Sequence, residues 1–416
     1  MNELNKIDNH NSLKGETTML KFKILIAVSA LMVSINMVLF SQNNNNSIEF
    51  HGNVNLSYEN LSVAYGTEID PNTLRLIVNS TLKLSKYVEI PISIFYSTNQ
   101  PENMQSFNRV GISPKFFNWL TLHAGSYTTD ISELTGKSIT LMGTGIENRK
   151  GKFRISMLYG KINSAIRPDS TKYFQGEFKR DAYALKIGFG KKSKGFVDIN
   201  ILKVIDDKSS ISHIPIGLYP KENAVGSLEF GFSLFKKKLR FNCEVGIAAY
   251  SNDTRVEEKK NVDLGIIKNL FTPRYSSQVD GAVSLNLVFA PNKDLSFDYR
   301  SKWIGPGYIT LGNPYMQNDL FENSLTTVMN LFKGKVNLNG TIGIINDNLR
   351  DTRFTTTRRM TSSLTVTWQP SFKFGLNLQY FSYGMDSNPK NDTLKTDNAA
   401  KSFSISPNYN FNGNGN

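Results

Sequence analysis

The chain has 416 residues, 39% of them hydrophobic, with a formal net charge of +13 and a single cysteine. So low an apolar share argues against a multi-domain enzyme with thick dry cores, and the lone Cys243 excludes a disulfide framework within the chain. The basic surplus admits a nucleic acid, an anionic membrane surface or an anionic solute as partner, and the placement of the lysines decides among them.

Residues 1–18 are polar. Met19 to Ser41 reads MLKFKILIAVSALMVSINMVLFS, with a basic start at Lys21 and Lys23, a long apolar stretch and then Ser41-Gln42. This is the pattern of a secretory signal, with Met19 as an alternative start and a retained spanning helix as the alternative to cleavage. No lipobox cysteine follows it. Residues 1–41 therefore read as an N-terminal extension plus signal peptide, and 42–416 as one domain.

From there on the apolar residues alternate with polar ones. The clearest segments are Thr73–Ser85, Leu239–Ala249, Val279–Phe289, Val336–Ile344 and Phe372–Tyr380, each a half-buried strand by its period of two. Cys243 alternates in phase with Phe241 and Val245, as a small apolar strand residue would. Strands pair across short links at Lys86-Tyr87, Phe117–Trp119, Arg149–Gly151, Lys191–Gly195, Phe235–Lys238, Pro291–Asp294, Phe332–Lys335 and Gln369–Phe372. Longer polar stretches separate the pairs at 60–73, 164–179, 207–221, 253–277, 309–318 and 386–398. The best local helical pattern, Val262–Leu270, ends at Thr272-Pro273.

Regular alternation of short and long connections predicts an all-β fold, an antiparallel up-and-down transmembrane β-barrel of about eighteen strands (16–18). Three features separate it from a soluble sandwich: a polar and often charged inner face, long runs of same-face apolar positions, and aromatics at strand ends such as Trp119, Phe235, Trp303, Phe332 and Trp368. The residues expected to line the lumen are Arg75, Lys83, Arg154, Lys186, Glu229, Arg240, Glu244, Asp298, Arg300 and Lys302.

Lysines crowd the short turns, at Lys86, Lys150, Lys152, Lys191, Lys192, Lys194, Lys236–Lys238, Lys293, Lys333, Lys335 and Lys373, while the long loops are mixed in charge. Lysines that mark one rim are not the basic patch with stacking aromatics of a nucleic-acid reader. They predict solvated periplasmic turns, with contact to an acidic periplasmic partner or to anionic headgroups as the alternative.

Four histidines give no metal-ligand spacing. Ser212-His213 with Asp206 and Asp207 is the single cluster compatible with hydrolase chemistry, and a polar loop explains it better. Gly305-Pro306-Gly307 opens no helix after a strand and reads as a turn. No catalytic, cofactor or metal residue is expected, and the chain does not read as an enzyme.

Phe107-Asn108-Arg109-Val110-Gly111-Ile112-Ser113-Pro114, Thr121–Gly125 and Pro220-Lys221-Glu222-Asn223-Ala224-Val225-Gly226, with the signal ending Phe40-Ser41-Gln42, resemble segments of outer-membrane β-barrel proteins of the Bacteroidota. The resemblance implies an outer-membrane location and a barrel fold, and no catalytic residue. One departure stands at the C-terminus. Pro407 is expected to interrupt the final ladder, and Asn-Gly-Asn-Gly-Asn follows, so a barrel complete at Asn416 and one truncated there both stay open. The expected function is a porin-like channel for small or mixed-charge solutes; the alternative is an accessory or scaffold barrel of an outer-membrane assembly, secretion or surface-lipoprotein complex. Outer-membrane lipid is an expected partner, periplasmic or outer-membrane proteins are candidate partners, and the oligomeric state is open.

Overall fold

A computed structural model describes residues 48–60, 72–100, 104–171, 174–260, 270–390 and 395–411. The signal region, most of loop 60–73 and the Val262–Leu270 stretch up to residue 269 lie outside the described residues. The chain forms two compact units: Met1–Asn99 with Asn108–Asn118, and Gln100–Phe107 with Trp119–Asn416.

The first unit carries β1 (Glu49–Asn60), β2 (Asn72–Ser85), β3 (Val88–Ser97), β4 (Arg109–Ile112) and β5 (Lys115–Phe116). Each strand runs antiparallel to its neighbour, and β4 and β5 both pair with β3. Ser113-Pro114 separates these two, so they are one strand length broken at a residue without an amide hydrogen. On β2 the set Leu74, Leu76 and Val78 is buried with Ile94 and Tyr96 of β3, while Arg75, Asn79 and Lys83 share the opposite face by period two.

The second unit is a meander of β6 (Leu120–Thr129), β7 (Ile139–Asn148), β8 (Phe153–Asn163), β9 (Lys179–Lys191), β10 (Gly195–Asp207), β11 (Glu222–Leu234), β12 (Leu239–Ser251), β13 (Ser277–Asn292), β14 (Leu295–Ile304), β15 (Leu320–Leu331), β16 (Val336–Asp347), β17 (Thr355–Trp368), β18 (Phe374–Pro389) and β19 (Thr396–Tyr409). Every sequential pair is antiparallel. With β4 and β5 taken as one length, the 19 strands among the described residues correspond to the expected eighteen. All eight short links fall between the strands they were expected to join.

Two of these turns repeat a sequence and a geometry. Phe235-Lys236-Lys237 and Phe332-Lys333-Gly334 hold three successive positive φ angles, at 51°, 56° and 72° and at 53°, 59° and 86°. Each is closed by an amide donating to the phenylalanine carbonyl, Lys238 to Phe235 at 3.2 Å and Lys335 to Phe332 at 3.3 Å. The phenylalanine rings stand in the open beside the lysines.

The expected break at Pro407 is not there: the β18–β19 register runs through Leu376↔Pro407 without a shift. In an antiparallel pair every second amide points away from a given neighbour. The Asn410 amide donates to Lys373 across from β18, so Pro407, an odd number of residues away, has its missing N–H on the side that β18 does not use.

The two faces of the second unit are inverted relative to a soluble sheet. Each strand from β6 to β19 exposes at least one large apolar side chain, among them Ile199 (50%), Val245 (44%), Ile247 (51%) and Val279 (57%). The buried side chains on the opposite face include polar ones, such as Asp198, Asn200, Ser227 and Glu244.

Candidate functional site

The polar face of β8–β14 is covered by the connection between β6 and β7, residues 130–138. Lys186 of β9 donates to the Ile131 carbonyl at 2.6 Å. The Thr135 and Ser227 hydroxyls lie 2.9 Å apart, reaching β11, and the Leu134 amide donates to Glu244 of β12 at 3.3 Å. Ser284 of β13 donates to Glu133 at 2.8 Å, and Lys302 of β14 pairs with the same carboxylate. One short segment thus touches strands β9 to β14, so this part of the sheet wraps around it. Residues 305–319 pack on it from the loop end: Tyr308 donates to the Leu134 carbonyl at 3.1 Å and Thr310 to that of Thr135 at 2.6 Å. Tyr308, Leu134, Leu141, Leu202 and Ile304 close an apolar cluster there.

Small residues on the strands make room for this insertion. A Cβ on Gly246 would stand 2.8 Å from the Tyr308 hydroxyl and 3.4 Å from Leu134. Gly305 lies against Asp280, where a Cβ would meet the carboxylate at 2.4 Å. Asp280 in turn accepts from the Gly307 amide at 2.8 Å and from Arg350 at 2.9 Å. The Gly-Pro-Gly sequence is a turn, as expected, and its glycines let it sit on a carboxylate.

Beneath the segment lies a cavity of about 750 Å³. Seven basic and five acidic side chains line it. Six of the residues expected to face a lumen meet there: Arg154, Lys186, Glu229, Glu244, Arg300 and Lys302. Asp298 stands beside them, paired with Arg300 at 3.0 Å. Arg240 is on the same face of β12 by register but outside the lining. Arg75 and Lys83 belong to the first unit, where Arg75 faces Glu59 at 3.3 Å and Lys83 lies between Glu49 at 3.8 Å and Glu89 at 3.9 Å.

Register explains the convergence. Arg154, Gly188, Asp198, Glu229, Glu244, Ser284, Lys302 and Glu322 are cross-strand partners in one continuous row from β8 to β15. Partners opposite each other point to the same face, so the row is a charged belt across the wall. Gly188 leaves the space into which Asp198 reaches: a Cβ there would be 2.0 Å from Oδ1. Asp198 is fully buried. It binds Arg154 at 2.5 Å, with Lys186 at 3.5 Å and Lys192 at 3.9 Å. Glu229 takes Lys192 at 3.2 Å and Lys186 at 3.5 Å.

Asp198, Glu133 and Glu322 belong to this charged site without being among the expected lining residues, and Lys192 and Arg149, expected at the short turns, also reach it. Asp198 had a legible signal, since Phe196, Asp198 and Asn200 alternate with Val197, Ile199 and Ile201. Residues 130–138 had none, because their partners lie 55 to 175 positions away in the chain.

Burial raises the Glu133 pKa, but the Lys302 ammonium and the Ser284 hydroxyl outweigh it and hold the carboxyl below its usual 4.5. A depressed folded-state pKa contributes stability above the unfolded value and loses it as pH falls through the folded one. Glu133→Gln is therefore expected to lower the unfolding midpoint at pH 7, with the difference from wild type shrinking below pH 4.5. Guanidinium melts at pH 7 and pH 3 measure this; an equal difference at both would contradict the Glu133–Lys302 link.

Of the hydrolase candidates, the His213 ring lies 3.4 Å from Ser212 in an exposed loop. Asp206 is held by Arg180 at 2.7 Å and Asp207 by Ser209 at 2.6 Å, so neither orients the histidine. His51 contacts Glu49 at 3.1 Å, and His123 stacks on Tyr127 with ring centroids 4.5 Å apart.

No protein-family model and no curated protein matches the chain. Solved structures it is similar to include OccAB1 of Acinetobacter baumannii, at 11% identity and a TM-score of 0.42 over 86% of this chain and 94% of that one. The outer membrane protein OprD from Pseudomonas aeruginosa shares 8% identity, with a TM-score of 0.41 over 81% and 87% of the two chains. A BenF-like porin from Pseudomonas fluorescens shares 11%, with a TM-score of 0.41 over 86% and 96%. Likeness at this level assigns no family.

Proposed function

We propose that the chain is a β-barrel of a bacterial outer membrane and a porin-like channel for small solutes of mixed charge, with residues 42–416 as its membrane domain and the lysine-marked turns on the periplasmic side. The observation that carries this reading is the inverted sheet. A wall whose apolar side chains stand exposed on strand after strand, while aspartate, asparagine and glutamate are buried on its other face, is costly in water. Each such apolar side chain gains about 1.5–3 kcal/mol on transfer to hydrocarbon. In a bilayer the strand backbone is satisfied between neighbours, as the membrane interior requires.

The charged cavity supports the channel role. Its lining carries both signs, as a path for small polar solutes would, and residues 130–138 narrow it. The Phe107–Pro114 and Pro220–Gly226 stretches support placing the chain with the Bacteroidota barrels. The chemistry proposed is passage rather than catalysis.

Swelling of proteoliposomes in isotonic solutions of sugars and amino acids tests the reading. Wild-type protein is expected to admit small solutes and to slow sharply with solute size. Replacing residues 131–136 by two glycines should speed uptake by roughly two-fold or more, since pore width and lining set the flux. Folded, inserted protein that admits no solute would replace the channel reading with an accessory role.

A further inference from the structure

The outer, apolar face carries a second cavity unrelated to solute passage. It is a groove of about 930 Å³ on the wall of β7–β10, with Tyr159, Tyr183 and Leu270 in its lining. Leu270 and Phe271, from the connection between β12 and β13, lie against the outside of the sheet. Phe271 is buried against Ala224 and Ala249, whose small side chains leave it a seat. Leu270 thus enters the groove lining beside the anchored Phe271.

Strand register orders this wall by height. One cross-strand row is Ile146, Met157, Leu185 and Ile201, all apolar. The next row toward the long loops is Thr144, Tyr159, Tyr183 and Lys203. The row beyond holds Met142, Lys161, Asp181, Ile205 and Glu222. All apolar, then tyrosine and lysine, then a row with three charged side chains is the order in which a wall passes from hydrocarbon to headgroup. The groove spans the first two of these rows and reaches Ile205 in the third.

Among the described residues, Lys203 is the one charged side chain lining the groove. Its partner Glu222 is shared: Arg274 holds that buried carboxylate at 2.7 Å, and Lys203 stands farther off at 3.6 Å. Arg274 also meets the exposed Glu258 at 3.6 Å. Asp181 is taken by Lys179 at 2.8 Å. The lysine is therefore the cation with the looser pairing, at the mouth of an apolar groove of a size that holds a small amphiphile.

We propose that this groove binds one anionic, phosphate-bearing lipid of the external leaflet, its acyl chains along Ile146, Met157, Leu185 and Ile201 and its phosphate on Lys203. The tyrosine rings flank the junction of chains and headgroup, and Leu270 limits sliding. This rests on the membrane reading above.

Native mass spectrometry of the detergent-purified chain, offered equal phosphatidylglycerol and phosphatidylcholine, tests it. One phosphatidylglycerol per chain is expected to survive, favoured about five-fold over phosphatidylcholine, the preference that one well-placed lysine gives for an anionic lipid. Lys203→Gln should bring the ratio near unity. Thr144→Trp, which fills the groove, should lower retention of both lipids, whereas Val279→Trp on the wall outside it should not. Equal retention of the two lipids by wild type, or an undiminished preference in Lys203→Gln, would overturn the proposal. Vesicle insertion of each variant is read separately: a chain that inserts without this preference loses the groove alone, and one that fails to insert loses the membrane reading.

Discussion

Replacing Asp198 with alanine is expected to lower the unfolding free energy by about 3–5 kcal/mol, the cost of removing one partner from a buried charge cluster. Asp198 is fully buried, and it is the carboxylate to which Arg154 binds at 2.5 Å and toward which Lys186 and Lys192 turn. Without it, three cations share Glu229 on one stretch of wall. Arg154 keeps its bonds to the Gly190 and Phe189 carbonyls, which neutralise none of its charge. Adding Arg154→Met should recover part of the loss, because the uncompensated cation goes with it. Asp298→Ala is the control. Its partner Arg300 is largely exposed, and such pairs contribute about 0–1 kcal/mol. Guanidinium unfolding in lipid vesicles measures all three. An Asp198→Ala protein as stable as wild type would mean that the charged belt is not what holds this wall.

The second large effect lies on the opposite face. Val245 is midway along β12 and exposed, in a cross-strand row with Ile187, Ile199, Leu228 and Val283. Its lysine variant should cost about 2–4 kcal/mol in a bilayer, the price of a cation near the midplane of a barrel wall. The matched substitution Asn286→Lys, on the cavity side of β13 where Asn286 donates to Asp298, should cost less than about 1 kcal/mol, because a lysine there keeps a donor beside that carboxylate and faces the cavity rather than hydrocarbon. In a soluble sheet the order would be reversed, since the exposed face tolerates lysine and the face with buried groups does not. The pair of variants thus reads which side of the wall meets hydrocarbon.

Much of this wall was legible in the sequence because a strand's period of two is local. Alternation placed Arg154, Lys186, Glu229, Glu244, Arg300 and Lys302 on one face, and antiparallel register then brought them to one cavity without further information. Turn chemistry was equally local, and the Phe-Lys turns at 235–238 and 332–335 fall where their residues place them. What escaped was set by distant partners. Residues 130–138 have the composition of an ordinary connection, and distant partners such as Lys186, Ser227, Glu244, Ser284, Lys302 and Tyr308 make them an insertion. Folding of the Leu270–Phe271 loop against Ala224 and Ala249 is of the same kind. Pro407 is the reverse case: a proline breaks a ladder only where its amide is needed, and the parity of the strand decides which amides the ladder needs.

Single-channel recording in a planar lipid bilayer tests the central claim most directly. Wild-type protein is expected to give discrete, ohmic current steps, larger after residues 131–136 are replaced by two glycines. Protein that inserts and resists proteolysis yet leaves the current flat, before and after that replacement, would contradict the reading of this chain as a channel.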